Sequence, residues 1–324
     1  MVSGDFSRVH VVRGRKFLFQ VETSGRAEDY RKYEDLRQAI WGFADDPLPG
    51  PRNMLCENFL QDGSSLFLAV YADDGRGGLA PEAERCVGFS YGFVGLNDKS
   101  LAFRSPDNLW FYSQYTGVRT DYRSYGLGVL IKEFQRDVLL RVLGLSTVVC
   151  TFDPLTGVNA RRNIHHFGMD VLEYRTSTYG EFGGLLNRRD VPSDRFFMSW
   201  DLGKAHRPSP AGAAGPPGAV CPLSLAWKEV RGRSGPLRVE VVAAGDPAVR
   251  GETVLVPIPD DFNAMLRETD VEEPGVRRIP LDWRLRTREM FETLFREGYK
   301  VTDFRHSESG NFYILERKGF LPRM

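Results

Sequence analysis

Residues 118–130 read VRTDYRSYGLGVL, from Val118 to Leu130, and the remainder of the chain is best read outward from them. On the N-terminal side, Leu109 to Thr120 is rich in aromatic and β-branched residues and reads as a strand. On the C-terminal side, Leu127, Leu130, Ile131, Phe134, Val138 and Val142 recur at helical offsets. They predict a helix over 127–143 with Lys132, Glu133, Arg136 and Asp137 on its other side. Between strand and helix lies a turn holding Gly126 and Gly128. A helix start offers unpaired backbone N–H groups and the positive end of the helix dipole, so it favours an anion. Glycines lack Cβ and let oxygens approach the backbone, and Arg123 adds a charge-assisted donor. The expected ligand is a pyrophosphate. The G-x-G-x-x-G pattern of dinucleotide folds and the G-x-x-x-x-G-K-[ST] phosphate loop are both missing from the sequence.

Before this segment, Phe17 to Glu22 predicts a strand and Ala27 to Trp41 a helix through Tyr30, Tyr33, Leu36 and Ile40. Pro51 opens a second short helix. Leu66 to Tyr71 and Cys86 to Val94 predict strands around a glycine turn at Asp73–Leu79. After it come a β-branched strand over Thr147 to Phe152, a short helix over Asn159 to Phe167, and strands over Val171 to Tyr179 and Arg195 to Leu202. Runs of strands broken by single helices indicate an α+β class with a mixed sheet. Residues Arg207 to Ala219 (RPSPAGAAGPPGA) bury little and resist both helix and strand. They suggest a first region over 1–203, a linker over 204–221 and a smaller α+β region over 222–324. In the last region, strands are expected at Leu237–Ala243, Thr253–Ile258, Val301–Phe304 and Phe312–Glu316, with a helix at Trp283–Glu297.

The strand–turn–helix carrying R-x-x-G-x-G resembles motif A of the GNAT acyltransferase superfamily. That resemblance implies a GNAT fold whose turn holds the coenzyme A pyrophosphate through Arg123, Ser124, Tyr125, Gly126, Leu127 and Gly128. It also implies that the backbone at Val118, Arg119 and Thr120 pairs with the pantetheine arm. Asn159 matches the asparagine that opens the family's next helix. The tyrosine expected near that helix's end is replaced by Ile164 or His165. The stretch 151–202, with Asp153-Pro154-Leu155, Asn159-Ala160-Arg161, Tyr179-Gly180 and Pro192-Ser193-Asp194-Arg195-Phe196, is similar to a GNAT branch that carries a C-terminal extension.

The implied reaction is direct attack of an amine on an acyl-CoA thioester, acetyl by default, with succinyl open. A backbone N–H near Tyr115 to Val118 would meet the oxyanion. Strand alternation sends Tyr112, Gln114 and Thr116 to one face and Phe111, Ser113 and Tyr115 to the other. Candidates for acid–base work are Tyr112, Asp153 and Tyr179. Asp153 reads first as a turn residue before Pro154, and Tyr174 as strand packing. His165 and His166 sit in the helix just before Gly168, where a cation suits the helix end. Arg195 and Asn187 suit an acceptor carboxylate. The acceptor is expected to be a small amine, amino acids among the candidates. An acyl-CoA sensor without turnover and an enzyme acting on a protein amine are the alternatives.

Composition fits this reading. Lys plus Arg equals Asp plus Glu, 43 against 43, so no global field favours nucleic acid. No run reaches the length of a membrane helix, and Met1 to Arg15 is unlike a signal peptide. Cys56, Cys86, Cys150 and Cys221 form no paired spacing, so neither a metal nor a disulfide is expected and a cytoplasmic location is. The C-terminal region would shape the acceptor pocket or form a homodimer contact.

Overall fold

A computed structural model describes residues 6–42, 65–75, 78–181, 183–209, 216–307 and 310–317. The helix expected at Pro51 and Cys56 lie outside the described residues. Two compact units emerge, one of residues 1–150 with 201–204 and the other of 151–200 with 205–324.

In the first unit the strands are β1 (Ser7–Val12), β2 (Arg15–Val21), β3 (Ser65–Ala72), β4 (Cys86–Leu96), β5 (Leu109–Val118) and the start of β6 (Thr147–Phe152). They lie in sequence order. Neighbours are antiparallel from β1 to β5, and β5 to β6 is parallel. The parallel step needs a crossover, and helix α2 (Leu127–Val138), extended by a wider turn over Leu139–Leu143, supplies it. Leu127, Ile131, Phe134 and Val138 are buried on one stripe of α2. Each such side chain contributes roughly 1.5–3 kcal/mol by leaving water. Helix α1 (Arg31–Trp41) buries Tyr33, Leu36 and Ile40 in a cluster with Phe67, Phe89 and Tyr91.

The α2 stripe departs from expectation in two places. Lys132 is buried at 3% exposure and Val142 is 37% exposed. Lys132 turns inward because it donates to Ser113 Oγ at 2.6 Å and Gln135 Oε1 at 3.2 Å. Val142 lies past Val138, where the helix widens before Gly144 takes a left-handed φ of 65°. The regular 3.6-residue offset no longer holds there.

The second unit holds the end of β6, α3 (Gly157–Ala160) continued by a wide turn over Arg161–His166, β7 (Asp170–Arg175) and β8 (Arg195–Asp201). Strands β9 (Leu223–Gly232) and β10 (Gly235–Gly245) form an antiparallel ribbon. Then come β11 (Thr253–Ile258), α4 (Phe262–Glu268), α5 (Pro274–Arg277), α6 (Ile279–Arg296), β12 (Lys300–Ser307) and β13 (Gly310–Glu316). β7 and β8 pair antiparallel, and β13 sits between β11 and β12. Phe196, Phe291 and Tyr313 meet edge to face, with centroids 4.9 to 5.4 Å apart, and centre this core.

The α+β class with a mixed, mostly antiparallel sheet is therefore observed. The compact units divide inside β6 rather than at the linker over 204–221, because 151–200 packs with 205–324.

Candidate functional site

The predicted anion turn lies in the first unit. After β5, Arg119 donates its N–H to Val87 O at 2.8 Å. Residues Thr120–Tyr125 then wind into a tight 3-10 turn, which Gly126 closes at φ 69° and ψ 15° while capping α2. This left-handed conformation is costly for most side chains, which is why glycine stands here. A Cβ added to Gly126 would meet nothing within 4 Å, so that side of the turn is open. Val129 donates its N–H to Gly126 O at 3.1 Å. Leu127 and Gly128 precede it, and helix geometry gives their N–H groups no internal acceptor.

The charges around the turn suit a polyphosphate. Arg123 and Ser124 are exposed. Arg123 Nε leans toward Val118 O at 3.5 Å. Asp121 is tied to Arg119 at 2.9 Å. Arg15 and Arg119 lie 4.9 and 5.6 Å from the ring of Tyr122, Arg15 also pairing with Asp73 at 3.3 Å. Tyr125 packs on Phe17 with centroids 5.2 Å apart.

β5 itself supplies a second feature. Its parallel pairing with β6 covers Phe111↔Val148 and Tyr112↔Val149 among the described residues. Its antiparallel pairing with β4 continues to Val118↔Gly88. From Ser113 onward, the β6-facing edge of β5 thus has no strand partner among the described residues. The cause is local. Tyr91 pairs with Tyr115 and Gly92 with Ser113, so Gln114 is an extra residue in a β-bulge. A bulge bends its strand and increases the twist.

The bulge also corrects the expected alternation. Ser113 Oγ bonds Gln135 Oε1 at 3.2 Å on the α2 side. Thr116 lies on that same side, 3.3 Å from Ser90 Oγ, which accepts from Gln135 Nε2 at 2.8 Å. Tyr115 points the other way, against Trp41 of α1 at 5.2 Å. The half-buried Tyr112 lies against Phe93, 5.4 Å away, and Phe93 packs on the α1 cluster. Tyr112 therefore shares a face with Tyr115, not with Thr116. The buried Ser90–Ser113–Lys132–Gln135 group under the bulge was not legible from periodicity.

Asp153, Asn159, Tyr179 and Arg195 lie in the second unit. Asp153 Oδ1 accepts the Leu155 N–H at 2.9 Å, which is the turn reading of this residue. Its Oδ2 is shared by Arg284 Nη2 and by Arg195 Nη1, the latter at 3.5 Å. Both carboxylate oxygens are therefore engaged by protein donors. Tyr179 is 48% exposed, with its Oη 2.6 Å from Thr151 Oγ1 and the Arg195 guanidinium over its ring. Arg195 also donates to Asp194 O at 2.8 Å and Asn187 Oδ1 at 3.4 Å. Asn159 Oδ1 accepts from Arg162 at 3.0 Å. His165 Nδ1 pairs with Asp303 Oδ1 at 2.9 Å, Ile164 is buried, and His166 stacks edge-on to Phe167.

Asp194 is wholly buried and fully used. It accepts two bonds from Arg288 at 2.8 Å each, one from Tyr174 Oη at 2.6 Å and one from the Ser177 N–H at 2.9 Å. Burial and the adjoining Asp194 carboxylate together hold the Tyr174 phenol well above its ordinary range, against the pull of Arg284. Ser193 accepts the Tyr179 N–H at 3.0 Å and donates to Gly180 O at 2.9 Å. The Tyr179-Gly180 and Pro192–Phe196 segments thus bind each other. Sequence reading missed Arg284 and Arg288, although two arginines four apart on one helix face were a visible signal.

No helix among the described residues is long and apolar enough to cross a membrane. No family model matches the sequence, and no curated protein does. Among solved structures, the chain is similar to NAA60 of Arabidopsis thaliana in complex with acetyl-CoA, at 12% identity and TM-score 0.42, over 58% of this chain and 99% of that one. It is similar to the ribosomal-protein-S18-alanine N-acetyltransferase of Escherichia coli at 15% identity and TM-score 0.40, over 58% and 96%. It is also similar to the ribosomal-protein-S5-alanine acetyltransferase of Vibrio fischeri at 11% identity and TM-score 0.41, over 58% and 93%.

Proposed function

We propose that this protein is an acyl-CoA-dependent N-acyltransferase of the GNAT type acting on a small amine. The observation that carries the reading is the left-handed Gly126 joining β5 to α2, with open space over it and a β5 edge leading to it that has no strand partner among the described residues. Leu127 and Gly128 N–H groups and Arg123 would hold the pyrophosphate. The edge from Ser113 to Val118 would orient the pantetheine arm as an added strand. Bound there, an acyl-CoA supplies the activated thioester carbonyl. A backbone N–H on Tyr115 to Val118 would stabilise negative charge developing on its oxygen. Tyr112, on β5 itself, is the candidate for proton transfer; in the second unit, Tyr179 Oη lies 2.6 Å from Thr151 Oγ1 and Asp153 acts through its ion pairs.

Calorimetric titration of coenzyme A, acetyl-CoA and succinyl-CoA tests this on native protein, Gly126→Asn and Gly126→Asp. Both substitutions tolerate a left-handed backbone better than other residues do. The Asp side chain sets a negative charge against the phosphates, so affinity is expected to fall on the order of a hundredfold, with Asn between. Folded native protein that binds none of the three ends the reading.

A second reading, an acyl-CoA sensor without turnover, is favoured by the buried Ile164 at the family's tyrosine position and by the commitment of Asp153. Measured acyl transfer to any amine excludes it.

A further inference from the structure

Around Arg284 in the second unit, three guanidiniums meet two carboxylates. Arg284 lies on the inward face of α6 beside Trp283 and Thr287, at 1% exposure. One face of its guanidinium lies over Phe262, 5.2 Å from the ring centroid. Its Nη2 donates to Asp153, while Nε and Nη1 are buried with no hydrogen-bond partner among the described residues. Asp153 is shared with Arg195, whose other partners, Asp194 O and Asn187 Oδ1, are neutral. Asp194 is committed to Arg288, and Tyr313 Oη donates to Pro154 O at 2.7 Å. Three guanidiniums, Arg195, Arg284 and Arg288, therefore share two carboxylates.

Buried donors of a charged group are satisfied in nearly all folded proteins, and leaving them unpaired is expensive. We propose that Arg284, supported by Arg195, forms an anion site inside the second unit whose ligand is a small monocarboxylate. One unmatched positive charge calls for a monoanion. A phosphate dianion would overcompensate it. A carboxylate offers two oxygens, each able to accept from a separate N–H in charge-assisted bonds. The site is independent of the acyl-transfer reading, because it is built from second-unit residues and tested with no coenzyme A present.

The test is thermal melting in sodium acetate against sodium chloride at equal ionic strength, on native protein, Arg284→Met and Asp153→Asn. Acetate is expected to raise the native midpoint by roughly 2–4 °C over chloride. Arg284→Met is expected to lose that difference. Asp153→Asn removes the competing carboxylate, so its acetate dependence should begin at concentrations about tenfold lower. Should Arg284→Met fail to fold, the native and Asp153→Asn melts still decide. Equal effects of acetate and chloride on both, or an acetate effect surviving in Arg284→Met, overturn the proposal.

Discussion

At the scale of single residues, the side chains most often suspected of chemistry in the second unit hold one another in place. Asp194 shows it best, because its carboxylate accepts from Arg288, Tyr174 and the Ser177 amide. Removing one partner of a buried pair strands the other charge and typically costs about 3–5 kcal/mol. Arg288→Met is expected to destabilise by that amount, and Arg288→Lys by less because one donor is kept. Urea melts of the two variants decide, and a loss under about 1 kcal/mol for Met would contradict the reading. Asp303 makes a pH prediction. Burial alone would raise its pKa, but hydrogen bonds from His165 and Ser209, the Phe304 amide and Arg305 together bring it below the ordinary 3.8. A depressed carboxylate adds stability that is complete above its unfolded value and is lost as pH falls through the folded one. Stability should thus drop more steeply below about pH 4 in native protein than in Asp303→Asn, and matching slopes would refute the assignment.

At the scale of elements, the bulge in β5 does most to shape the candidate site. It is held by close packing at Gly92, where an added Cβ would come 2.4 Å from both the Phe111 ring and the Tyr112 backbone oxygen. Backbone cannot yield as a flexible side chain does. Gly92→Ala is therefore expected to cost about 1–3 kcal/mol by overpacking. It should also weaken coenzyme A binding, since the end of β5's pairing with β6 depends on the same bend. A variant that melts like native protein and binds coenzyme A equally would sink this account. The elements differ in how legible they were. Thr147–Phe152 and Thr253–Ile258 were readable to the residue, because each is a short, largely buried run of apolar and β-branched residues. β1 and β9 escaped notice although Val9 and Val11, and Leu223, Leu225 and Trp227, recur at the strand period, because these short runs are set among charged residues and are largely exposed or half-buried. The strand–turn–helix around Gly126 was legible because its logic is local to about ten residues. Lys132 was not, because what turns it inward is Ser113, 19 positions away.

At the scale of the whole chain, the question is where it can be cut. The glycine- and proline-rich stretch over 204–221 invites division there, giving 1–203 and 222–324. Compactness argues otherwise, because 151–200 belongs with 205–324. Truncation at 203 would remove Arg284 from Asp153, Arg288 from Asp194, and Phe291 and Tyr313 from the buried Phe196. Two carboxylates and an aromatic core would then face water or lie unpaired, and each buried aromatic side chain alone is worth about 1.5–3 kcal/mol of burial. That loss is comparable to the 5–15 kcal/mol that holds a typical domain. The fragment 1–203 is therefore expected to be soluble only when residues 216–324 are supplied on a separate chain. Co-expression of the two fragments, with one tagged, measures this by recovery of the untagged partner. If 1–203 alone instead melts cooperatively near the native midpoint, the linker is the true boundary and the second unit's ion pairs add little to folding.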